Sequence, residues 1–358
     1  MTLDAGGVWS EQDTTPAAIE SALRTLLKEQ HDRDQGFAPA RVLNLVVVVD
    51  GEWRGEVFNR LERVGRYHPS RTILCAVEDG RTTIDASVAM TTDGDAAKAH
   101  KAGEIALTRE RVVLDLGPRH LEMLDTIVDP LVVTDIATLV WSPHGHPEAV
   151  DAMLHLTQVV LVDSVYEPDP ATAIARAKEL AADAYVVDLA WLRSTPWRER
   201  VASTFDPPQW RDELGRISSV TVRHHAESGV AGLLFCGWLG SKLGWEPGPM
   251  MAAQGRLRGR AHARRGEVEL ELVPDERMSV PGLAGIEIST ASGMRISLDR
   301  GPGGLSARRV DHKGRESAWT VLGASRGEAG ILGEGIRQAL LRDAAYRRAL
   351  DRAEAMLR

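Results

Sequence analysis

Apolar residues follow two patterns along the chain, and the change from one to the other divides the sequence. Arg41–Val49 and Arg71–Val77 are apolar at almost every position, which is typical of parallel strands buried on both faces of a sheet. Apolar residues at helical spacing in Trp53–Gly65 predict a helix between them. A strand, a helix and a strand in this order predict a right-handed parallel crossover.

The alternation of strands and helices continues to about residue 250. Four short apolar strands are separated by helical segments, and the last strand leads into Glu227–Leu243, a helix that is apolar nearly all round. Successive strand–helix units predict a doubly wound parallel sheet. The four predicted strands are Thr138–Trp141, Gln158–Val162, Ala184–Leu189 and Ile217–Val222.

Beyond Pro247 apolar and polar residues alternate, which is the pattern of strands with one exposed face. In the first predicted hairpin, Arg260 is expected to face Glu269 and Arg258 to face Glu271. Opposite charges across a strand pair stabilise the pairing and cancel the local field. A helical tail ends the chain. The predicted hairpins are Leu257–Ala263 with Glu267–Val273, Ile286–Thr290 with Met294–Leu298, and Leu305–Asp311 with Arg315–Leu322.

These patterns predict an α/β fold in three parts. Residues 1–130 form a mixed α/β N-terminal domain, in which Thr82–Met90 and Glu104–Leu116 extend the sheet with antiparallel strands. Residues 131–250 form a doubly wound, Rossmann-like domain with a parallel sheet, and residues 251–358 form an antiparallel β meander with C-terminal helices. A chain of 358 residues is long enough for two or three domains.

Composition and charge restrict the class of protein further. Hydrophobic residues make up 43% of the chain and charged residues 26%, which excludes a disordered or fibrous protein. No apolar stretch reaches the roughly 18–20 residues of a membrane span, and the N-terminus has no signal-peptide pattern. The net charge is −8, with the acidic excess in residues 1–250, so we expect no binding to nucleic acid or to a membrane. These features predict a cytoplasmic protein.

Motifs that carry catalytic chemistry are not found in the sequence. It has no P-loop, no nucleophile elbow, no His-Glu-x-x-His motif and no Cys-x-x-Cys pair. Gly330, Gly333 and Gly335 do not have the spacing of a dinucleotide fingerprint. We therefore predict no catalytic residue, no metal site and no cofactor. Cys75 and Cys236 lie in apolar surroundings, where free cysteines pack as small hydrophobic residues, so redox regulation is not expected.

Polar side chains follow the carboxyl ends of the predicted middle-domain strands, where open α/β sheets bind their ligands. Acids, bases and hydroxyls together have the composition of an active site. The alternative is structural, because Asp and Ser at strand ends often cap the next helix. The candidate ligand rim consists of Ser142 with His144 and His146, Asp163, Ser164, Asp188 and His224.

The turn before the second strand is another candidate. His68, Ser70 and Arg71 lie between a helix and a strand, and Arg71 could donate two hydrogen bonds to an anion. In the alternative interpretation, this is a tight turn containing proline, and Arg71 is solvated or forms a salt bridge.

The most unusual local feature is a segment rich in tryptophan and arginine. Trp191, Arg193, Trp197 and Arg198 lie within eight residues, and the chain has nine Trp against four Phe and four Tyr. Trp and Arg are the residue types favoured at the energetic centres of protein interfaces. These four residues are therefore candidates for partner binding. The alternative is that the tryptophans pack a domain junction.

Six runs of residues form an ordered set: Arg41–Val49, His68–Arg71, Val162–Ser164, Val187–Arg198, Phe205–Pro208 and Gly237–Trp245. This set resembles the OpcA family of glucose-6-phosphate dehydrogenase assembly proteins, over nearly the whole chain. The resemblance implies a non-catalytic partner that binds glucose-6-phosphate dehydrogenase and activates it or promotes its oligomerisation, in the oxidative pentose phosphate pathway. The competing hypothesis is an enzyme or sensor that binds a phosphorylated or nucleotide ligand at the candidate rim and Arg193.

Overall fold

The computed structural model describes residues 2–4, 8–33, 41–65, 69–92, 108–167, 169–301, 303–322 and 327–358. The chain divides into two compact units. Unit 1 consists of Met1–Val162, Asp183–Val186 and Glu328–Leu340, and unit 2 of Asp163–Ala182, Val187–Gly327 and Leu341–Arg358. The three-domain division at residues 130 and 250 stays a prediction, because compactness does not measure which parts of a chain fold independently.

The first half of the chain alternates strands and helices. Its elements are β1 (Thr2–Asp4), β2 (Val8–Glu11), α1 (Pro16–Arg33), β3 (Leu43–Asp50), α2 (Arg54–Gly65), β4 (Ser70–Val77), β5 (Asp85–Thr92), β6 (Thr108–Leu116), α3 (Leu124–Val128), β7 (Thr138–Trp141), α4 (Pro147–Met153), β8 (Val159–Val162), α5 (Pro170–Asp183) and β9 (Tyr185–Asp188).

The second half begins with helices and continues as a series of strands. Its elements are α6 (Leu189–Arg193), α7 (Thr195–Phe205), α8 (Pro208–Arg211), β10 (Ile217–His225), α9 (Gly229–Leu243), β11 (Glu246–Pro247), β12 (Met251–Ala253), β13 (Arg256–Ala263), β14 (Gly266–Asp275), β15 (Leu283–Thr290), β16 (Arg295–Gly301), β17 (Gly304–Val310), β18 (Glu316–Leu322), α10 (Gly327–Leu341) and α11 (Ala345–Ala355).

The first sheet has the strand order β1-β2-β5-β6-β4-β3-β7-β8-β9. The neighbours from β6 to β8 pair in parallel, and β5 joins β6 antiparallel. The antiparallel extension is therefore confirmed for β5, whereas the prediction for β6 was wrong, because β6 pairs with β4 in parallel. Six neighbouring strands of this sheet are β6-β4-β3-β7-β8-β9. When they are renumbered 1 to 6 in chain order, their order in the sheet is 3-2-1-4-5-6, which is the order of dinucleotide-binding domains. The order reverses between β3 and β7, which places a crevice outside the carboxyl ends of these two strands.

Burial of the central strands follows from their sequence. Every residue of β3 from Leu43 to Val49 is buried, because a strand in the middle of a doubly covered parallel sheet has no solvent face. β4 is almost as completely buried. The predicted strand–helix–strand unit in this region is confirmed.

The second sheet has the strand order β11-β13-β14-β10-β15-β16-β17-β18, with β12 paired to β13. All three predicted hairpins are confirmed, and the register places Arg260 opposite Glu269 and Arg258 opposite Glu271. β10 differs from the prediction. It was expected to be the fourth strand of the parallel middle-domain sheet, but it pairs with β14 and β15 in the second sheet.

Helix α9 packs closely against α11 within unit 2. Most of its residues are buried, as its apolar sequence predicts. A Cβ atom added to Gly237 would lie 2.2 Å from the carbonyl oxygen of Ala349. A glycine is therefore required where the two helices approach each other.

Two further findings concern the described residues. None of their helices has the length and apolar character needed to cross a bilayer. Their His, Cys, Asp and Glu side chains form no group of three or more that could hold a metal ion.

Candidate functional site

The crevice between β3 and β7 is the place where a dinucleotide would bind in a fold of this kind. β3 ends at Asp50, and a short 3-10 turn, Gly51–Trp53, leads into α2. Ser142, His144 and His146 follow β7 in the same unit. The structure thus confirms that these three residues lie after the carboxyl end of a parallel strand.

Side chains of this crevice contact one another. His146 Nε2 lies 3.0 Å from Asp50 Oδ1, and the ring of His144 stacks on Trp53 with centroids 4.8 Å apart. Ser142 Oγ donates a hydrogen bond to the carbonyl oxygen of Val48 at 3.1 Å. His146 has a positive φ of 58°, a conformation that costs a non-glycine residue free energy and persists only where neighbouring contacts hold it.

These residues do not fit a dinucleotide. Such a cofactor needs a glycine-rich turn whose backbone approaches the pyrophosphate. The turn from Asp50 to Gly55 has glycines only at positions 51 and 55, which is not the Gly-x-Gly-x-x-Gly spacing, and the indole of Trp53 between them lies stacked on His144. The carboxylates of Asp50 and Glu52 lie near His144 and repel a pyrophosphate in the crevice. The crevice therefore does not fit a nicotinamide cofactor.

Asp188 is the centre of a buried polar network in unit 2. It accepts hydrogen bonds from the backbone N–H of Ala190 at 2.9 Å, from the Ser164 hydroxyl and from the Tyr346 hydroxyl at 3.1 Å. The side chain caps α6, as the structural alternative for strand-end residues predicts. Burial raises the pKa of Asp188 to about 6 because the charged carboxylate is removed from water.

Asp163 and Arg193 form a second contact in unit 2. Two N–H groups of the Arg193 guanidinium bind the two carboxylate oxygens of Asp163, each at 2.7 Å. Both side chains are largely buried, with 9% of Arg193 and 3% of Asp163 exposed. This bidentate geometry is the strongest that Arg and a carboxylate can adopt, so the pair fixes the end of α6 to the residue after β8.

The tryptophan- and arginine-rich segment is buried within unit 2. Only 4% of Trp191, 2% of Trp197 and 8% of Arg198 are exposed. Partner binding by this segment stays a prediction. A partner could contact these three side chains only after a change that exposes them. In the structure they belong to the core under α6 and α7.

Arg198 is folded back over Trp191. Its guanidinium carbon lies 3.3 Å from the centroid of the Trp191 ring, and its Nη1 donates to the carbonyl oxygen of Trp191 at 3.0 Å and to Ser194 Oγ at 2.9 Å. Burial lowers the pKa of Arg198 to about 9, so the group remains charged at neutral pH. Arg198, a candidate for partner binding, thus has its hydrogen bonds inside unit 2.

Arg71 forms a salt bridge, in agreement with the alternative interpretation of its turn. Its Nε donates to Glu110 Oε2 at 2.6 Å, and its Nη1 donates to the carbonyl oxygen of Leu131 at 2.8 Å. Arg41 binds the other oxygen of the same carboxylate. Ser70 and Arg71 begin β4 and therefore lie at the amino ends of the parallel strands, away from the crevice. His68 lies outside the described residues.

His224 lies in the second sheet, near the end of β10. It is 5% exposed, and burial lowers its pKa. Its Nδ1 lies 2.7 Å from the carbonyl oxygen of His225. The predicted rim is therefore not one set. Ser142 belongs to unit 1, Asp163, Ser164 and Asp188 lie in unit 2 at the first sheet, and His224 lies in unit 2 within a strand of the second sheet.

Sequence reasoning missed two residues that organise these clusters. Tyr346 is 158 residues from its partner Asp188, and the only sequence signal is its place on the apolar face of α11. Glu110 is buried between Arg41 and Arg71, and no sequence signal marked it, because its neighbours Arg109 and Arg111 are charged as well.

Both cysteines are buried and free. Burial raises the pKa of Cys75 and of Cys236 to about 12. The thiolate is the reactive form of cysteine, so neither residue is poised for redox chemistry in the folded chain.

Fold and crevice together define a class of protein. The chain has the strand order of a dinucleotide-binding domain and a second, mixed sheet. Its crevice between β3 and β7 is occupied by side chains that do not fit a dinucleotide. The model for the glucose-6-phosphate dehydrogenase subunit N-terminal domain matches residues 62–179, and the model for the C-terminal domain matches residues 184–350. The chain belongs to this family, the OpcA family of glucose-6-phosphate dehydrogenase assembly proteins, which confirms the resemblance found in its sequence.

Similar proteins agree with this assignment. The chain is 28% identical over 240 residues to the OxPP cycle protein OpcA of Synechococcus elongatus, covering 66% of this chain and 51% of that protein. It is 27% identical over 131 residues to the protein of the same name from Synechocystis, covering 36% and 28% of the two chains. The chain thus spans about half the length of the first of these relatives.

A solved structure shares the fold. The oxidoreductase yvaA of Bacillus subtilis superposes with a TM-score of 0.50 at 12% identity, covering 88% of this chain and 95% of that one. At this identity the similarity concerns the fold alone. It agrees with the dinucleotide-type strand order of the first sheet and does not transfer the reaction.

Proposed function

We propose that the chain is a non-catalytic partner of glucose-6-phosphate dehydrogenase, which it binds and whose oligomerisation or activity it promotes. Family membership carries this proposal, because both matching models are described as domains of a glucose-6-phosphate dehydrogenase subunit. The relatives are named as proteins of the OxPP cycle. The proposed role is that of a protein partner in that pathway.

The crevice supports the non-catalytic part of the proposal. A dehydrogenase of this fold must bring a nicotinamide ring to the switch point, with its phosphates on the turn after the first strand. In this chain Asp50 and Trp53 occupy that turn and contact the histidines that follow β7. The fold of a dehydrogenase is retained here without residues that fit its cofactor.

The test is reconstitution with the dehydrogenase from the same organism. The two proteins are mixed, separated by size-exclusion chromatography with light scattering, and assayed for NADP⁺ or NAD⁺ reduction with glucose 6-phosphate. We expect co-elution, together with a larger dehydrogenase oligomer or a higher kcat/KM. Separate elution and unchanged kinetics at every ratio would overturn the proposal.

Two controls make the result specific. The chain alone is assayed with both cofactors, and hydride transfer by the pure chain would contradict the non-catalytic role. Gly237→Ala serves as a matched variant with disturbed packing between α9 and α11. A stimulation that depends on the folded unit 2 should be lost in this variant, whereas a non-specific effect of added protein should remain.

The competing hypothesis of a ligand at the candidate rim has no geometric support. Asp188 is buried and already accepts hydrogen bonds from Ser164 and Tyr346. Asp163 and Arg193 neutralise each other. The residues predicted to bind a ligand thus stabilise the fold with their polar groups.

A further inference from the structure

A cavity in unit 1 opens at the start of α2, on the side of the β3–α2 turn that faces β2, β5 and β6. It has a volume of about 420 Å³, which is within the range of pockets that bind small molecules. Its walls come from the start of α2 and from one face of β2, β5 and β6. The register confirms this common face, because Val8 pairs with Ala89, Ala89 with Arg111, and Ser87 with Val113.

The charge of the cavity is one-sided. Arg54 and Arg111 line it, and its described lining includes no carboxylate. Each arginine has a carboxylate partner outside that lining, since Arg54 Nη1 donates to Asp115 at 2.6 Å and Arg111 Nη1 donates to Glu62 at 2.8 Å. One N–H group of a guanidinium suffices for each of these contacts, and a guanidinium has five.

The arginines are held in place without being enclosed. The guanidinium carbon of Arg111 lies 4.4 Å from the centroid of the Phe58 ring, which fixes its plane. The side chain of Arg54 is 41% exposed. A ligand oxygen can therefore bind the guanidinium N–H groups that the carboxylates do not use.

The rest of the lining favours an organic ligand over a bare ion. Val8, Ala89 and Val113 form an apolar wall, and Ser87 adds a hydroxyl beside it. Gly55 leaves space at the start of α2, since a Cβ atom there would meet nothing within 4 Å. A ligand with an anionic group and a carbon skeleton fits such a surface.

We propose that this cavity binds a small organic phosphate, with Arg54 and Arg111 holding the phosphate and the apolar wall packing against the carbon skeleton. Two guanidinium groups from separate elements suit a tetrahedral dianion, which accepts hydrogen bonds from several directions. The site makes the chain a metabolite-binding protein in addition to its proposed role as a partner. Because the test below uses the chain alone, its failure leaves dehydrogenase binding standing.

Isothermal titration calorimetry on the full chain tests the site. The probes are glucose 6-phosphate, AMP, inorganic phosphate and, as the uncharged control, glucose. We expect saturable binding of a phosphorylated probe with Kd below about 1 mM, and none of glucose. The sugar phosphate and the nucleotide distinguish the two sources of the phosphate. No saturable binding of either organic phosphate, or equal binding of glucose, would overturn the proposal.

Variants locate the site. Arg54→Ala and Arg111→Ala should each weaken binding at least tenfold, because each removes a charge-assisted hydrogen bond. Arg60→Ala is the matched control on the same helix, since Arg60 pairs with Glu56 and does not line the cavity. Unchanged affinity in both cavity variants, or an equal loss in the control, would overturn the assignment.

Gly55→Leu separates loss of the site from loss of the fold. The new side chain points into open space, and leucine has a higher helix propensity than glycine. The variant should therefore melt at the same or a higher temperature while binding of the phosphorylated probe is lost. Undiminished binding in a folded Gly55→Leu chain would show that the ligand lies elsewhere.

Discussion

Trp197→Ala decides whether the tryptophan- and arginine-rich segment acts as core or as contact surface. Trp197 is 2% exposed, so its truncation leaves a cavity in unit 2. Substitutions of this kind cost about 3–5 kcal/mol. For a unit of this size, each kcal/mol lowers Tm by roughly 2–4 °C. We therefore expect the Tm of Trp197→Ala to fall by roughly 6–20 °C.

The assay combines calorimetry with binding on the same samples. Differential scanning calorimetry gives Tm, and biolayer interferometry with immobilised dehydrogenase gives affinity at a temperature where both variants remain folded. Trp53→Ala is the matched control, because Trp53 is 38% exposed and its loss should lower Tm only slightly. An unchanged Tm for Trp197→Ala with weakened binding would refute the core assignment and restore the segment as a contact surface.

Arg198→Glu extends the same test to charge. The arginine donates to the carbonyl oxygen of Trp191 and stacks on its ring. A carboxylate cannot donate to that oxygen and would be buried without a cation, which costs several kcal/mol. We therefore expect loss of the folded state of unit 2 by circular dichroism. A stable, monomeric Arg198→Glu chain would contradict the buried geometry.

Three further predictions follow from burial and close packing. Burial raises the folded-state pKa of Asp188 to about 6. The protonated carboxyl group therefore stabilises the folded chain below pH 4. As the pH rises through 6, the free energy of unfolding falls by on the order of 3 kcal/mol. Urea unfolding at several pH values should show this fall in the wild-type chain and not in Asp188→Asn. A wild-type chain that gains stability relative to the variant over this pH range would contradict the prediction. Cys75 and Cys236, with pKa values near 12, should resist iodoacetamide in the folded chain, and rapid labelling would disprove their burial. Gly237→Ala should destabilise the chain by about 1–3 kcal/mol or more in thermal melts. Gly333→Ala is the control and should not, because its Cβ would lie 4.0 Å from its nearest neighbour.

Local patterns predicted the central strands well. Continuous apolar runs suffice to identify β3 and β4, because only strands covered on both faces lack polar positions. The β13–β14 register was predictable because the short turn between Ala263 and Gly266 fixes which residues face each other. The failure at β10 has a physical cause. Its residues alternate between buried and half-buried positions, the pattern of a sheet with one open face, and this signal was outweighed by the series of strands before it.

The site was less predictable because its contacts are long-range. A sequence shows that Trp191 and Arg198 are seven residues apart, but not that the guanidinium lies over the indole ring. Tyr346 reaches Asp188 from the last helix, and no local pattern links them. The structural alternative for Asp188, a helix cap, was correct because that interaction depends on neighbouring residues only.

The residues that carry the family resemblance bear on where function is to be found. Asp188, Trp191 and Arg198 are buried in unit 2, and Gly237 allows two of its helices to meet. None of them lines the crevice at the switch point. These residues therefore determine the shape of unit 2 and do not assemble a reaction centre. The proposed association with a dehydrogenase depends on the surface that this shape presents. Association with an enzyme is a function that such a surface can perform without chemistry of its own.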